Sequence, residues 1–471
     1  MVSLRRARTV PLAFAAVLAI SLPMPATARE PTAAVSLGDS FTSGQAGRWL
    51  GNSSDSFGSR SGTDRACQPT LFGCNYDTGR VYLDGSRPPG CARSDVAEIL
   101  SASIPLQERI NIACSGATTP DIFRASNGGQ TSKGQPPQAD RLARIARERR
   151  VKLIVLSIGG NDIGFANVAT ACALAYVTRA GPCAKRERPG IDAKLPAAMR
   201  GVAKAIGEIR AVMRSAGYRP WHYRLVLQSY PAPFPRAAEN RYPEAGLQRS
   251  TVGGCPFYDS DSNFARDVVP LALDENLKSV AFAAGAQFLS LRDAFQGREV
   301  CSRSSRLVSN ASPPSPVTSE WARAIGTGPI LQGQTIEEEA HPNAYGQRAL
   351  GRCLTLLFSR ATGSWSCKNT PASGTNGMLL TRVSSFPRAF RMTLKVSPRR
   401  VVAGRRTCFR FRVLSAGQPV EGVTVALAGK RARTGGPGRA RACVRLRARR
   451  YRARAGRPGF SSVSVIVTAR R

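Results

Sequence analysis

Histidine is nearly absent from this chain: 471 residues hold only His222 and His341. A histidine-rich metal site is thereby excluded, and any imidazole chemistry must use one of these two side chains. Lysine is scarce beside arginine, and acids are few, with 30 Asp and Glu against 68 Lys and Arg for a formal charge of +38. After Leu22 no apolar run approaches the twenty or so residues that a membrane-spanning helix needs. No zinc-finger spacing, helix-turn-helix or RNA-recognition motif accompanies the charge, which argues against sequence-specific nucleic-acid binding. A lipobox cysteine and a C-terminal wall-sorting signal are also missing, and the sequence closes on Arg470-Arg471.

What is present begins with Arg5, Arg6 and Arg8, an apolar stretch from Pro11 to Leu22, and Ala26-Thr27-Ala28. This is the order of a secretory signal peptide over residues 1–28, so an exported, extracellular protein is expected. Its removal leaves +35. Export suits the twelve cysteines, an even number in an oxidising compartment. They fall into neighbouring pairs: Cys67 with Cys74, Cys91 with Cys114, Cys172 with Cys183, Cys255 with Cys301, Cys353 with Cys367, and Cys408 with Cys443. Pairing neighbours needs no crossed loops. Structural disulfides are expected, with no metal.

Residues 33–44, Ala-Ala-Val-Ser-Leu-Gly-Asp-Ser-Phe-Thr-Ser-Gly, read as a buried strand that Gly38 ends abruptly. Ser40 then lies just past the carboxyl end of that strand, where open α/β sheets hold their ligands. Residues 45–90 form a long irregular insertion carrying Cys67 and Cys74. Helical periodicity follows at 94–103 and 138–150, with strands at 110–114 and 152–158. Further on come a helix at 196–213, a strand at 223–228, a long helix at 264–284, a strand at 287–291 and a closing helix at 343–359. Strands alternating with helices predict a doubly wound parallel sheet with helices on both faces. Three strands end in polar turns containing glycine (Gly38-Asp39-Ser40, Ser115-Gly116 and Gly159-Gly160-Asn161), which should gather along one sheet edge.

Residues 369–380 read as a linker rich in Asn, Thr, Pro, Ser and Gly. Beyond it, short alternating segments between Gly/Pro turns predict a small all-β, Ig-like sandwich over 381–471, stapled by Cys408–Cys443. This module carries 24 Lys and Arg against one acid, Glu421. Adhesion to an acidic partner, an anionic lipid or an acidic cell-surface polymer, fits that balance.

Ester hydrolysis requires a nucleophile, a base and donors aimed at the developing oxyanion. Ser40 can supply the first; its own N–H, the N–H of Gly116 and the Asn161 side chain can supply the donors. His341 stands at a loop-to-helix junction and is favoured as base, whereas His222 starts a strand at the opposite end of the sheet. The blocks Gly38-Asp39-Ser40, Ser115-Gly116-Ala117-Thr118, Gly159-Gly160-Asn161-Asp162 and His341-Pro342-Asn343 together resemble the SGNH (GDSL) hydrolases, in particular their secreted, disulfide-containing esterase/lipase branch.

The resemblance spans roughly residues 31–360. It implies a flavodoxin-like parallel sheet over 29–368, Ser40 as nucleophile, His341 as general base and an oxyanion hole of Ser40, Gly116 and Asn161. It implies no cofactor. Bridges of Cys91 with Cys114, Cys172 with Cys183 and Cys255 with Cys301 are of the kind that branch uses. One block departs: where most of the superfamily has an aspartate three residues before the histidine, this chain has Glu338. Either Glu338 or a backbone carbonyl then orients the imidazole, while Asp39 ties its turn together. The expected activity is a monomeric carboxylic ester hydrolase, an esterase or lipase. A polysaccharide O-acetyl esterase and a non-catalytic surface-binding protein are the alternatives.

Overall fold

The computed structural model describes residues 30–471 except 56–57, 327–335, 371, 384–389, 416–417, 421, 436 and 458–459. The signal-peptide reading, 1–28, lies outside the described residues.

Seven strands form the main sheet: β1 Thr32–Gly38, β2 Glu108–Asn111, β3 Arg150–Ser157, β4 Arg224–Gln228, β5 Gln287–Ser290, β6 Ser364–Lys368 and β7 Leu379–Arg382. Their order is β2-β1-β3-β4-β5-β6-β7. The first six run parallel and β7 is antiparallel to β6. This is the flavodoxin-like order, whose switch point lies between β1 and β3 at the carboxyl end of β1.

Both faces of the sheet are covered, and strand alternation assigns each side chain to one of two cores. Leu37, Ile154, Leu156, Leu227 and Phe288 pack with the helices Gln138–Glu148, Ala184–Ser215 and Val269–Ala284. Ala34, Leu153, Val155, Val226 and Leu289 pack on the other side, against Ile99 and the closing helix Ala344–Phe358.

Several boundaries differ from the sequence reading for identifiable reasons. The helix expected at 196–213 begins at Ala184 and carries Pro189 and Pro196 inside it. Its start is capped from a distant segment, where the Asp261 carboxylate accepts the N–H groups of Cys183 and Ala184 at 3.0 and 2.9 Å. The strand expected at 110–114 is Glu108–Asn111, because the Asn111 side chain ends it by accepting the Ala113 N–H at 3.0 Å. The helix expected at 94–103 is one turn, Glu98–Ser101. The segment read as a linker holds a single turn at Gly374–Gly377, and Leu379 already pairs with Lys368 as β7 begins.

Disulfides join all six neighbouring cysteine pairs, as the spacing led us to expect. Inside the 45–90 insertion, the bond from Cys67 to Cys74 closes a hairpin of Cys67–Thr70 and Gly73–Tyr76. Cys91 is bonded to Cys114, which ties the end of the insertion to the turn that leads into Gly116. Cys172 is bonded to Cys183 at the start of the long helix, and Cys255 to Cys301 across 46 residues. Cys353 of the closing helix is bonded to Cys367 of β6, fixing that helix to the sheet one strand in from its edge.

The residues after 390 form two further sheets around a core of Phe409, Phe411, Val425, Leu427 and Val467. Cys408 and Cys443 are directly paired residues on adjacent strands of one sheet. The bridge therefore does not cross between sheets as it does in an immunoglobulin domain.

Candidate active site

Gly38 brings β1 to its end with φ at +144°. A Cβ there would lie 2.2 Å from the Ser157 carbonyl of the neighbouring strand, so only glycine fits. The Gln138 side chain holds this residue from both sides, accepting its N–H and donating to its carbonyl, each at 2.8 Å. Asp39 caps the single turn Ser40–Ser43 through the Phe41 N–H at 3.2 Å.

Asp39 also links the first turn to the third. Its buried carboxyl accepts the Tyr230 hydroxyl at 2.5 Å, and that hydroxyl in turn accepts the Gly160 N–H at 3.0 Å. Burial pushes the Asp39 carboxyl up to about 7, against the opposing pull of those hydrogen bonds. The third turn is tied to the second by Asn161, whose Nδ2 donates to the Ala117 carbonyl at 2.9 Å. Asp162 adds to this tie by accepting the Thr119 hydroxyl at 2.6 Å and the Thr119 N–H. In the second turn Gly116 adopts φ +80°, and a Cβ there would meet only the end of Lys133, at 4.0 Å. Among the described residues the N–H groups of Ser40 and Gly116 have no protein acceptor. One hydrogen of the Asn161 amide also remains beyond its bond to Ala117.

His341 completes the group. Its Nε2 lies 2.7 Å from Ser40 Oγ, and its Nδ1 lies 2.8 Å from the Glu339 carbonyl oxygen. A carbonyl can only accept, so Nδ1 carries the proton and Nε2 presents its lone pair to the serine hydroxyl. Burial drives the His341 pKa down to about 4, with the backbone carbonyls of Glu339 and Glu338 opposing the shift. The ring is therefore neutral at pH 7. Phe41 packs against it, with centroids 4.9 Å apart.

Glu338 does not reach the imidazole. Its buried carboxylate accepts Trp49 Nε1 at 2.9 Å and the Tyr82 hydroxyl, both from the insertion. The reading of Glu338 as third triad member is thus replaced by the main-chain carbonyl one residue later. The side chain instead anchors the loop carrying His341. That loop also pairs through its backbone with Arg323, at 2.8 Å from Arg323 N–H to the His341 carbonyl and 2.9 Å from Ala340 N–H to the Arg323 carbonyl. Arg323 lies 4.0 Å over the Trp49 ring, and Arg48 pairs with Asp64 at 2.6 Å nearby. His222 is placed elsewhere, accepting the Arg219 N–H beside Tyr218 and Trp221.

The sequence reading missed Trp49, Tyr82, Gln138, Tyr230 and Arg323. Each acts through the fold and sits in no motif. The one local signal was Trp49, the single tryptophan of the 45–90 insertion.

No family model matches the chain, and no curated protein matches it. Among solved structures it is similar to an extracellular lipase from Streptomyces rimosus, at 20% identity and a TM-score of 0.37, over 70% of this chain and 100% of that one. It is also similar to a carbohydrate acetylesterase from Sinorhizobium meliloti, at 12% identity and TM-score 0.28, over 70% and 98% of the two chains. A gut microbial diltiazem-metabolizing enzyme is a third, at 11% identity and TM-score 0.29, over 87% and 61%.

Proposed function

We propose that this chain is an SGNH-type serine ester hydrolase that works through an acyl-enzyme on Ser40, with His341 as general base. The observation that carries this reading is the 2.7 Å approach of His341 Nε2 to Ser40 Oγ, with Nδ1 anchored on a main-chain carbonyl. Ser40 Oγ attacks the ester carbonyl while its proton passes to Nε2. The resulting oxyanion is met by the N–H groups of Ser40 and Gly116 and by the Asn161 amide. The imidazolium returns its proton to the departing alcohol, and a water repeats the two steps to release the acid and free the serine. A carbonyl fixes the imidazole tautomer as a carboxylate would, but stabilises the imidazolium less.

The six disulfides suit an oxidising compartment, and export with secretion as an extracellular enzyme belongs to the same reading. Residues 30–383 are proposed as the hydrolase domain and the remainder as a basic accessory module. The test is hydrolysis of soluble p-nitrophenyl esters. Ser40→Ala and His341→Ala should each abolish turnover in a folded protein, and Ser40 should be labelled by a fluorophosphonate. Undiminished turnover in the Ser40→Ala protein would end the proposal.

A further inference from the structure

A cleft of about 1360 Å³ opens at the end of the sheet opposite Ser40, around the start of β4 and between the main sheet and the loop carrying Arg457. Among the described residues its lining includes six cations, Lys152, Arg210, Arg224, Lys278, Arg382 and Arg457, and no carboxylate. Lys278 is paired with Glu275 at 2.5 Å, whereas among the described residues Arg224 donates only to main-chain carbonyls, those of Leu357, Phe358 and Arg360. Neither Lys152 nor Arg382 has a carboxylate partner among the described residues. Trp221, 73% exposed, stands in the same lining. Gln287, 5% exposed, lines it too, and neither atom of its side-chain amide has a protein partner among the described residues.

We propose that this cleft binds a segment of acidic polysaccharide. Cations gathered in a concave site without acids focus the field on an anionic chain. A planar guanidinium matches a carboxylate in two parallel hydrogen bonds. The flat, exposed indole offers a stacking face for a sugar ring. The volume exceeds what a small ligand fills, which suits several linked rings. Among the lining residues only Trp221 exposes a large apolar side chain, so the mouth has no apolar collar of the kind that enters a bilayer. This site is separate from Ser40 and stands whether or not the hydrolase reading does.

The test is binding of the full chain to immobilised polygalacturonate at fixed salt, beside neutral dextran and phosphatidylglycerol vesicles. Trp221→Ala and Lys152→Gln should each weaken polygalacturonate binding about threefold to tenfold. Arg431→Gln, which removes one exposed charge from the C-terminal module, should change it less than about twofold. Dextran should not bind. Circular dichroism establishes that each variant is folded. An equal loss in Lys152→Gln and Arg431→Gln would reduce the effect to diffuse charge and overturn the proposal. So would unchanged affinity in Trp221→Ala, or a preference for vesicles that Trp221→Ala leaves intact.

Discussion

Replacing Glu338 by glutamine separates two roles that the acidic run before His341 could hold. In the structure the carboxylate meets Trp49 and Tyr82 and lies among Arg48 and Arg323, while the imidazole is held by the Glu339 main chain. A glutamine amide can accept from Trp49 and donate to the Tyr82 oxygen, whose proton still has the Gln45 carbonyl at 2.5 Å. The hydrogen bonds therefore survive, and only the charge is lost. Arg48 keeps Asp64, but buried Arg323 loses the carboxylate that most favours its charged form. Leaving a buried cation short of its counter-charge costs about 3 kcal/mol. Burial outweighs its partners and raises the Glu338 carboxyl above its ordinary value, so the variant also escapes a desolvation cost, and Glu338→Gln should lower unfolding stability by less than that amount in urea titrations followed by tryptophan fluorescence. Its kcat on p-nitrophenyl butyrate should stay within about tenfold of the parent, whereas losing a true triad carboxylate costs roughly 10⁴. A folded, equally stable variant whose kcat falls by about a thousandfold or more would show that the carboxylate does orient His341, and would refute the assignment to Glu339.

Because burial holds His341 near 4, kcat/KM should remain on its plateau well below pH 6.5 and fall only as pH approaches 4; an acid limb at 6–7 would contradict this. Asn161→Ala should lose on the order of a hundredfold in kcat with little change in KM, as read by steady-state kinetics. Gly38→Ala should destabilise the whole fold, since the added Cβ would lie 2.2 Å from backbone rather than from a movable side chain; a melting temperature equal to the parent's would dispose of that argument. Burial raises Glu98 from 4.5 to about 7, so between those values the folded state holds a proton that the unfolded state has released. Its contribution is therefore present below pH 4.5 and lost as pH rises to 7, and Glu98→Gln should flatten that decline by roughly 3 kcal/mol in unfolding measured across the range.

Local chemistry alone determined a good deal of this protein. Short, mostly apolar runs ending in Gly38, Ser157 and Gln228 read as buried strands, and glycines before polar turns mark where such strands stop. With two histidines in the chain, the choice of base was already narrow, and neighbouring cysteines needed no long-range information to pair. Tertiary structure decided what orients the base. Glu338 and Glu339 are adjacent and alike in sequence, yet the backbone turn at Ala340, φ +59°, accompanies an arrangement in which one residue's carbonyl meets the ring and the other's side chain meets Trp49. It also decided where the long helix begins, since Asp261 caps it from 77 residues away. Ser364–Lys368, too short and mixed to read as a strand, became one between β5 on one side and β7 on the other. In each case the deciding partner is distant along the chain, and periodicity and spacing carry only what neighbours in sequence share.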